Sequence, residues 1–169
     1  GLIAKLQVTE SGDRLWRSIA NRPFAQVSLP DEYRQELADA FFFHPSPAVT
    51  RIISIATPYR GSLYARRIVG RIGAKLVDVG DKDRERHRNA VRANPDVFSD
   101  EVRKRVPTSI DLLEPESCLL QAIDRLPIAA GVAAHTVAGV NHWRPWTGAS
   151  DGVVTADSTH SNRPVKRVA

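Results

Sequence analysis

Apolar side chains recur along this chain with two periods, and the alternation between them marks out its elements. From Gly1 to Val8 only Lys5 and Gln7 break an apolar run, as expected of the first turns of a helix buried against a sheet, with Gly12 as its stop. Between Pro30 and Phe43 the residues Tyr33, Leu37, Ala40 and Phe41 fall at i, i+4, i+7 and i+8. Asp31 and Glu32 put negative charge where the positive end of a helix dipole favours it, so an amphipathic helix is predicted there. Pro45 and Pro47 break the chain before Val49 to Ala56, a β-branched stretch whose near-continuous apolarity suits a central parallel strand ending at Thr57-Pro58.

Another helix is expected from about Ser62, with Ala65, Ile68, Val69, Ile72 and Leu76 on one face and Arg66, Arg67, Arg71 and Lys75 on the other. Leu119, Leu120, Ile123 and Leu126 predict one more after Pro115, closed by Pro127. Gly131 to Val140 reads as a second buried strand, and the loop that follows carries Trp143, Pro145, Trp146 and Gly148. Residues 164–168 look like the start of a further strand. Strands separated by helical segments of this length imply right-handed crossovers and a mainly parallel sheet flanked by helices. The expected class is therefore α/β, as a single domain over residues 1–169. Residues 9–47 and 78–117 are its expected helical, lid-like excursions above the sheet. Function in such sheets gathers beyond the carboxyl ends of the strands, which singles out the loops Thr57 to Ser62 and Asn141 to Gly152.

Charge narrows the range of partners. The chain has 24 Lys and Arg against 19 Asp and Glu, a net +5, but the excess is spread along the sequence. Within residues 81–106, positive and negative side chains alternate, and Asp100–Lys104 and Glu101–Arg105 have the spacing of ion pairs on a solvated helix. Mixed signs with few interleaved aromatics argue against a nucleic-acid surface. No apolar run is long enough for a transmembrane segment. One cysteine, Cys118, makes no internal disulfide and builds no zinc cluster, and its apolar surroundings suit a small buried side chain. No His or carboxylate pair has metal-ligand spacing, so neither a metal nor a cofactor is expected.

Three segments, in chain order, resemble bacterial α/β-hydrolases of the lipase/esterase kind. Gly1-Leu2-Ile3-Ala4-Lys5-Leu6 is similar to the helix that follows the nucleophile elbow, Gly-His-Ser-Met-Gly-Gly-Leu, with Gly1 as the last glycine. Ile53-Ser54-Ile55-Ala56-Thr57-Pro58-Tyr59-Arg60-Gly61-Ser62 resembles the strand and loop ending Gly-Thr-Pro-His-Arg-Gly-Ser, with alanine and tyrosine in place of the usual glycine and histidine. Gly148-Ala149-Ser150-Asp151-Gly152-Val153-Val154 resembles the loop bearing the triad acid, with Asp151 at the acid's position and Thr155 replacing the usual proline. The resemblance implies a partial α/β-hydrolase fold and a serine hydrolase cleaving a carboxylic ester, from a small molecule or a lipid, through an acyl-enzyme. In that chemistry a histidine takes the serine proton and a carboxylate fixes and stabilises the imidazole. With family order Ser, acid, His, the nucleophile falls three residues ahead of Gly1 and the general base after Ala169. The chain starts without Met and directly on an apolar run, so it is expected to be a C-terminal portion and inactive by itself. The alternative is a hydrolase-like interaction domain without catalysis.

Other residues compete for these roles. Gly148 to Gly152 also fits G-x-S-x-G, but Ser150 lacks the strand before it and the helix after it that an elbow needs, and reads as shaping the turn around Asp151. His160 follows Asp151 yet precedes the last strand, and His142 precedes Asp151; His44, His87 and His135 read as structural or solvated. Trp143 and Trp146 suit either an acyl pocket or a cap on the core edge, and Phe24, Phe41, Phe42 and Phe43 suit an apolar substrate or core packing equally.

Overall fold

The computed structural model describes residues 1–62, 79–104, 106, 113–138 and 156–159. In order, its elements are α1 (Leu2–Leu6), α2 (Arg14–Ile19), a single 3-10 turn (Phe24–Gln26), α3 (Asp31–Phe41), β1 (Arg51–Ile55), α4 (Asp81–Ala93), α5 (Asp100–Lys104), α6 (Cys118–Arg125), β2 (Ala133–Val137) and α7 (Ala156–Thr159). The class is mixed α/β. β1 and β2 pair in parallel, with Arg51 opposite Ala133 and Ile55 opposite Val137. The helix expected from about Ser62, and the strand expected over 164–168, lie outside the described residues.

β1 alternates strictly between buried and exposed residues, whereas β2 does not. Ile52 and Ser54 are buried, whereas Ile53 and Ile55 on the opposite face are 60% and 71% exposed and lie beside the half-exposed Val137. The near-continuous apolarity of residues 49–56 fits a strand covered on both sides, but Ile53 and Ile55 remain exposed on that second face.

The helical segments have a core of their own. Trp16 is almost fully buried and lies edge-on to Phe24, Phe41 and Phe98, with ring centroids 4.9, 5.7 and 6.1 Å away. Ile19, Ala20, Val27, Ala90, Val97 and Val102 complete the buried part of this cluster. It therefore draws on both expected excursions, 9–47 and 78–117, which join into one layer. The junction is also stitched by polar groups: the Asn94 amide donates to the Ser28 and Ala90 carbonyls, each at 2.8 Å, and its oxygen accepts from the Ser28 N–H at 2.7 Å. Main-chain bonds run from Asn21 to Val97 and from Ser99 to Ile19. On the rim of this junction Arg86 reaches Glu36 at 3.2 Å and Glu32 at 3.5 Å, across the Tyr33 ring.

A second, smaller cluster of Leu15, Ile123 and Leu126, joined by Leu2 and Leu6, forms where α2 packs on α6. α6 is positioned by its cap: the Ser117 hydroxyl accepts from the Leu120 N–H, and Pro127 follows the helix end. An antiparallel bridge between Thr9 and Ile128 then brings the chain after α1 alongside the entry to β2.

A polar rim at the exit of the first strand

The loop after β1, Thr57 to Ser62, is the one described segment that combines a strand's carboxyl end with an expected motif. Its shape is held by main-chain bonds. The Tyr59 N–H donates to Thr57 O, Gly61 N–H to Pro58 O, and Ser62 N–H to Leu113 O at 3.0 Å. Gly61 is at φ +79°, and a Cβ there would lie 2.7 Å from both the Leu113 carbonyl oxygen and the Pro115 nitrogen, so only glycine fits. Ala56, where the resembled motif has glycine, is at φ +46°, a left-handed conformation that an L side chain adopts at a cost.

Two other segments meet this loop. Gly1 abuts Thr57 so closely that a Cβ on it would come within 1.9 Å of the threonine Oγ1, which explains a glycine at the start of α1. From the other side, the Arg60 N–H donates to Ser158 O at 3.3 Å and the Ser158 hydroxyl donates to the Gly61 carbonyl. Both Ser158 and Thr159 are buried. The first and second of the sequence motifs thus touch, and the segment five to eight residues beyond Asp151 touches both the turn and its glycine.

Beneath the loop lies a buried charge cluster that the sequence reading missed. Lys5 is completely buried; its ammonium donates to the Asp124 carbonyl at 2.6 Å and stands 3.8 Å from that residue's Oδ1. It also lies 5.2 Å from the centre of the Tyr59 ring, and the Tyr59 hydroxyl meets the Ser54 hydroxyl on β1. Arg60 approaches the other carboxylate oxygen, Nε to Oδ2, at 3.6 Å. The available signal was Lys5 itself, since a cation interrupting an apolar helical run must find a counter-charge once buried.

Asp151, expected as the triad acid, lies outside the described residues, as do Ser150, His142, His160, Trp143 and Trp146. The three described histidines are apart from the rim chemistry. His44 is exposed and pairs with Glu10 at 2.7 Å, His87 bonds the Val102 carbonyl through Nε2, and His135 is exposed on β2. Phe24, Phe41 and Phe42 pack around Trp16 and Phe43 joins the smaller cluster, which resolves these residues in favour of core packing. Cys118 is half-buried and donates to Glu101 Oε2 at 3.2 Å; desolvation, then the Glu101 carboxylate, push its thiol up to about 11. It is therefore a poor nucleophile at neutral pH. Among the described residues no cluster of three or more His, Cys, Asp or Glu side chains could hold a metal ion, and no helix is long and apolar enough to cross a membrane. No protein-family model matches the chain, and no curated protein or solved structure matches it significantly.

Proposed function

We propose that this chain is part of an α/β-hydrolase of the lipase/esterase kind, cleaving a carboxylic ester through an acyl-enzyme, with Asp151 as the carboxylate of the triad. What carries the reading is convergence: the start of α1, the turn Thr57 to Ser62 and the segment 156–159 meet at one strand's exit. Two of these segments adjoin proposed triad positions, the serine ahead of α1 and Asp151 ahead of 156–159, and on this scaffold each triad residue stands on a different strand-end loop. A serine three residues ahead of Gly1 would arrive at this rim. Asp151 is seven residues before Ser158, which touches the turn, a separation that spans at most about 25 Å of chain and so permits the proposed carboxylate to reach the same rim. The glycine-favouring backbone at Ala56 supports the second motif independently of its letters.

In this mechanism Asp151 holds a histidine in the tautomer that accepts the serine proton, then stabilises the imidazolium while the acyl-enzyme forms and breaks down. The 169-residue chain is expected to be inactive, with serine and histidine supplied from beyond it. The test is a chain extended by its gene's flanking codons, assayed on 4-nitrophenyl butyrate. The extended protein is expected to hydrolyse the ester, and Asp151→Asn to lower kcat by roughly 10⁴-fold, the scale on which loss of the orienting carboxylate acts. An active extended protein whose rate is untouched by Asp151→Asn would remove that residue from the mechanism.

A further inference from the structure

We infer that Lys5 is a positioning residue for the exit rim: its buried ammonium, paired with Asp124, holds the start of α1 and the turn Thr57 to Ser62 in register with one another. The inference rests on the proposed function only in treating that rim as the catalytic one. Among the described residues, three segments meet at this ammonium. It donates to the Asp124 carbonyl on α6 and faces the Asp124 carboxylate, it lies over the Tyr59 ring in the turn, and it belongs to the helix capped by Gly1, which abuts Thr57. Arg60, from the same turn, reaches the far oxygen of that carboxylate. Side chains on a helix lean toward its N-terminus, so a lysine four residues into α1 projects back toward Gly1 and the rim.

Stability alone does not explain a lysine here. Its neighbours on α1, Leu2 and Leu6, pack into an apolar cluster, and a well-packed apolar residue commonly matches or exceeds a buried ion pair in stability. A charge, however, fixes direction: the ammonium has a short bond to one carbonyl and an aromatic face on another side, and this geometry constrains the turn relative to the helix. Tyr59 is anchored in turn by its hydroxyl contact with Ser54, which carries the constraint into β1.

The experiment has two arms. In the 169-residue chain, amide hydrogen exchange is compared between wild type, Lys5→Met, Asp124→Asn and the double variant Lys5→Met/Asp124→Leu. Lys5→Met is expected to speed exchange at Tyr59, Gly61 and Ser62 by at least about tenfold while leaving Asn21 and Ser99, which bond across the Trp16 layer, unchanged. The double variant is expected to recover the unfolding midpoint but not the protection of the turn. If Lys5→Met does not fold, Asp124→Asn gives the same reading. Unchanged exchange in the turn, or an equal loss in both regions, overturns the inference. In the extended chain, Lys5→Met is expected to lower kcat by about tenfold or more with KM within about twofold, the pattern of an interaction that counts only in the transition state. A variant with both constants unchanged overturns the positioning role. An extended chain with no activity on esters sinks the hydrolase reading instead, and the exchange arm still decides whether Lys5 orders the rim.

Discussion

Single residues carry much of the local logic. Gly61 is required by a close backbone approach, Gly1 is crowded by the Thr57 side chain, and Ala56 holds a backbone conformation that glycine would hold more easily. Ala56→Gly is therefore expected to stabilise the protein by about 1 kcal/mol, the relief of left-handed strain offset in part by the greater freedom of glycine in the unfolded chain. Urea unfolding checks it, and a loss of stability would mean that Ala56 is unstrained. The glycines and the Thr-Pro turn were legible in the sequence as motif letters, but their reason was not, because the neighbours that exclude a Cβ come from Thr57, Leu113 and Pro115. The Lys5 cluster was illegible for the same cause. Its counter-charge is 119 residues away in the chain, and no local pattern links the two.

Among the elements, periodicity worked where an element makes its own amphipathic face. The helix expected between Pro30 and Phe43 is Asp31–Phe41, and the two strands expected over 49–56 and 131–140 include Arg51–Ile55 and Ala133–Val137, although the second was expected to be buried and none of its five residues is. It failed at α2, six residues long, whose helicity comes from tertiary packing of Leu15, Trp16 and Ile19 rather than from its own sequence period. The charged stretch 81–106 holds two helices, Asp81–Ala93 and Asp100–Lys104, joined by a non-helical segment over 94–99. It is not only a solvated face, because it buries Ala90, Val97, Phe98 and Val102. Within it Asp100 pairs with Arg103 at 3.7 Å, one residue nearer than the spacing to Lys104. The two excursions consequently behave as one folded layer around Trp16. Trp16→Ala is expected to cost about 3–5 kcal/mol, as for large aromatic truncations in packed cores. A loss below about 1 kcal/mol in denaturant unfolding would show that the two excursions do not share this core.

For the molecule as a whole, the described residues combine a parallel pair of strands, a consolidated helical layer and a polar rim at the strand exit, a mixed α/β arrangement. Parallel pairing was legible, because two apolar strands separated by long helical connections have few other solutions. The exposure of Ile53, Ile55 and Val137 was not, since residue letters do not say which side of a strand a neighbour covers. The proposed activity depends on which serine reacts, and Ser150 offers a rival within these 169 residues. The most direct measurement is labelling with a fluorophosphonate, followed by peptide mapping, of both the 169-residue chain and its extended form. The account predicts no adduct on the shorter chain and a single phosphonylated serine three residues ahead of Gly1 on the longer one. An adduct at Ser150, or none on the extended chain, would contradict it.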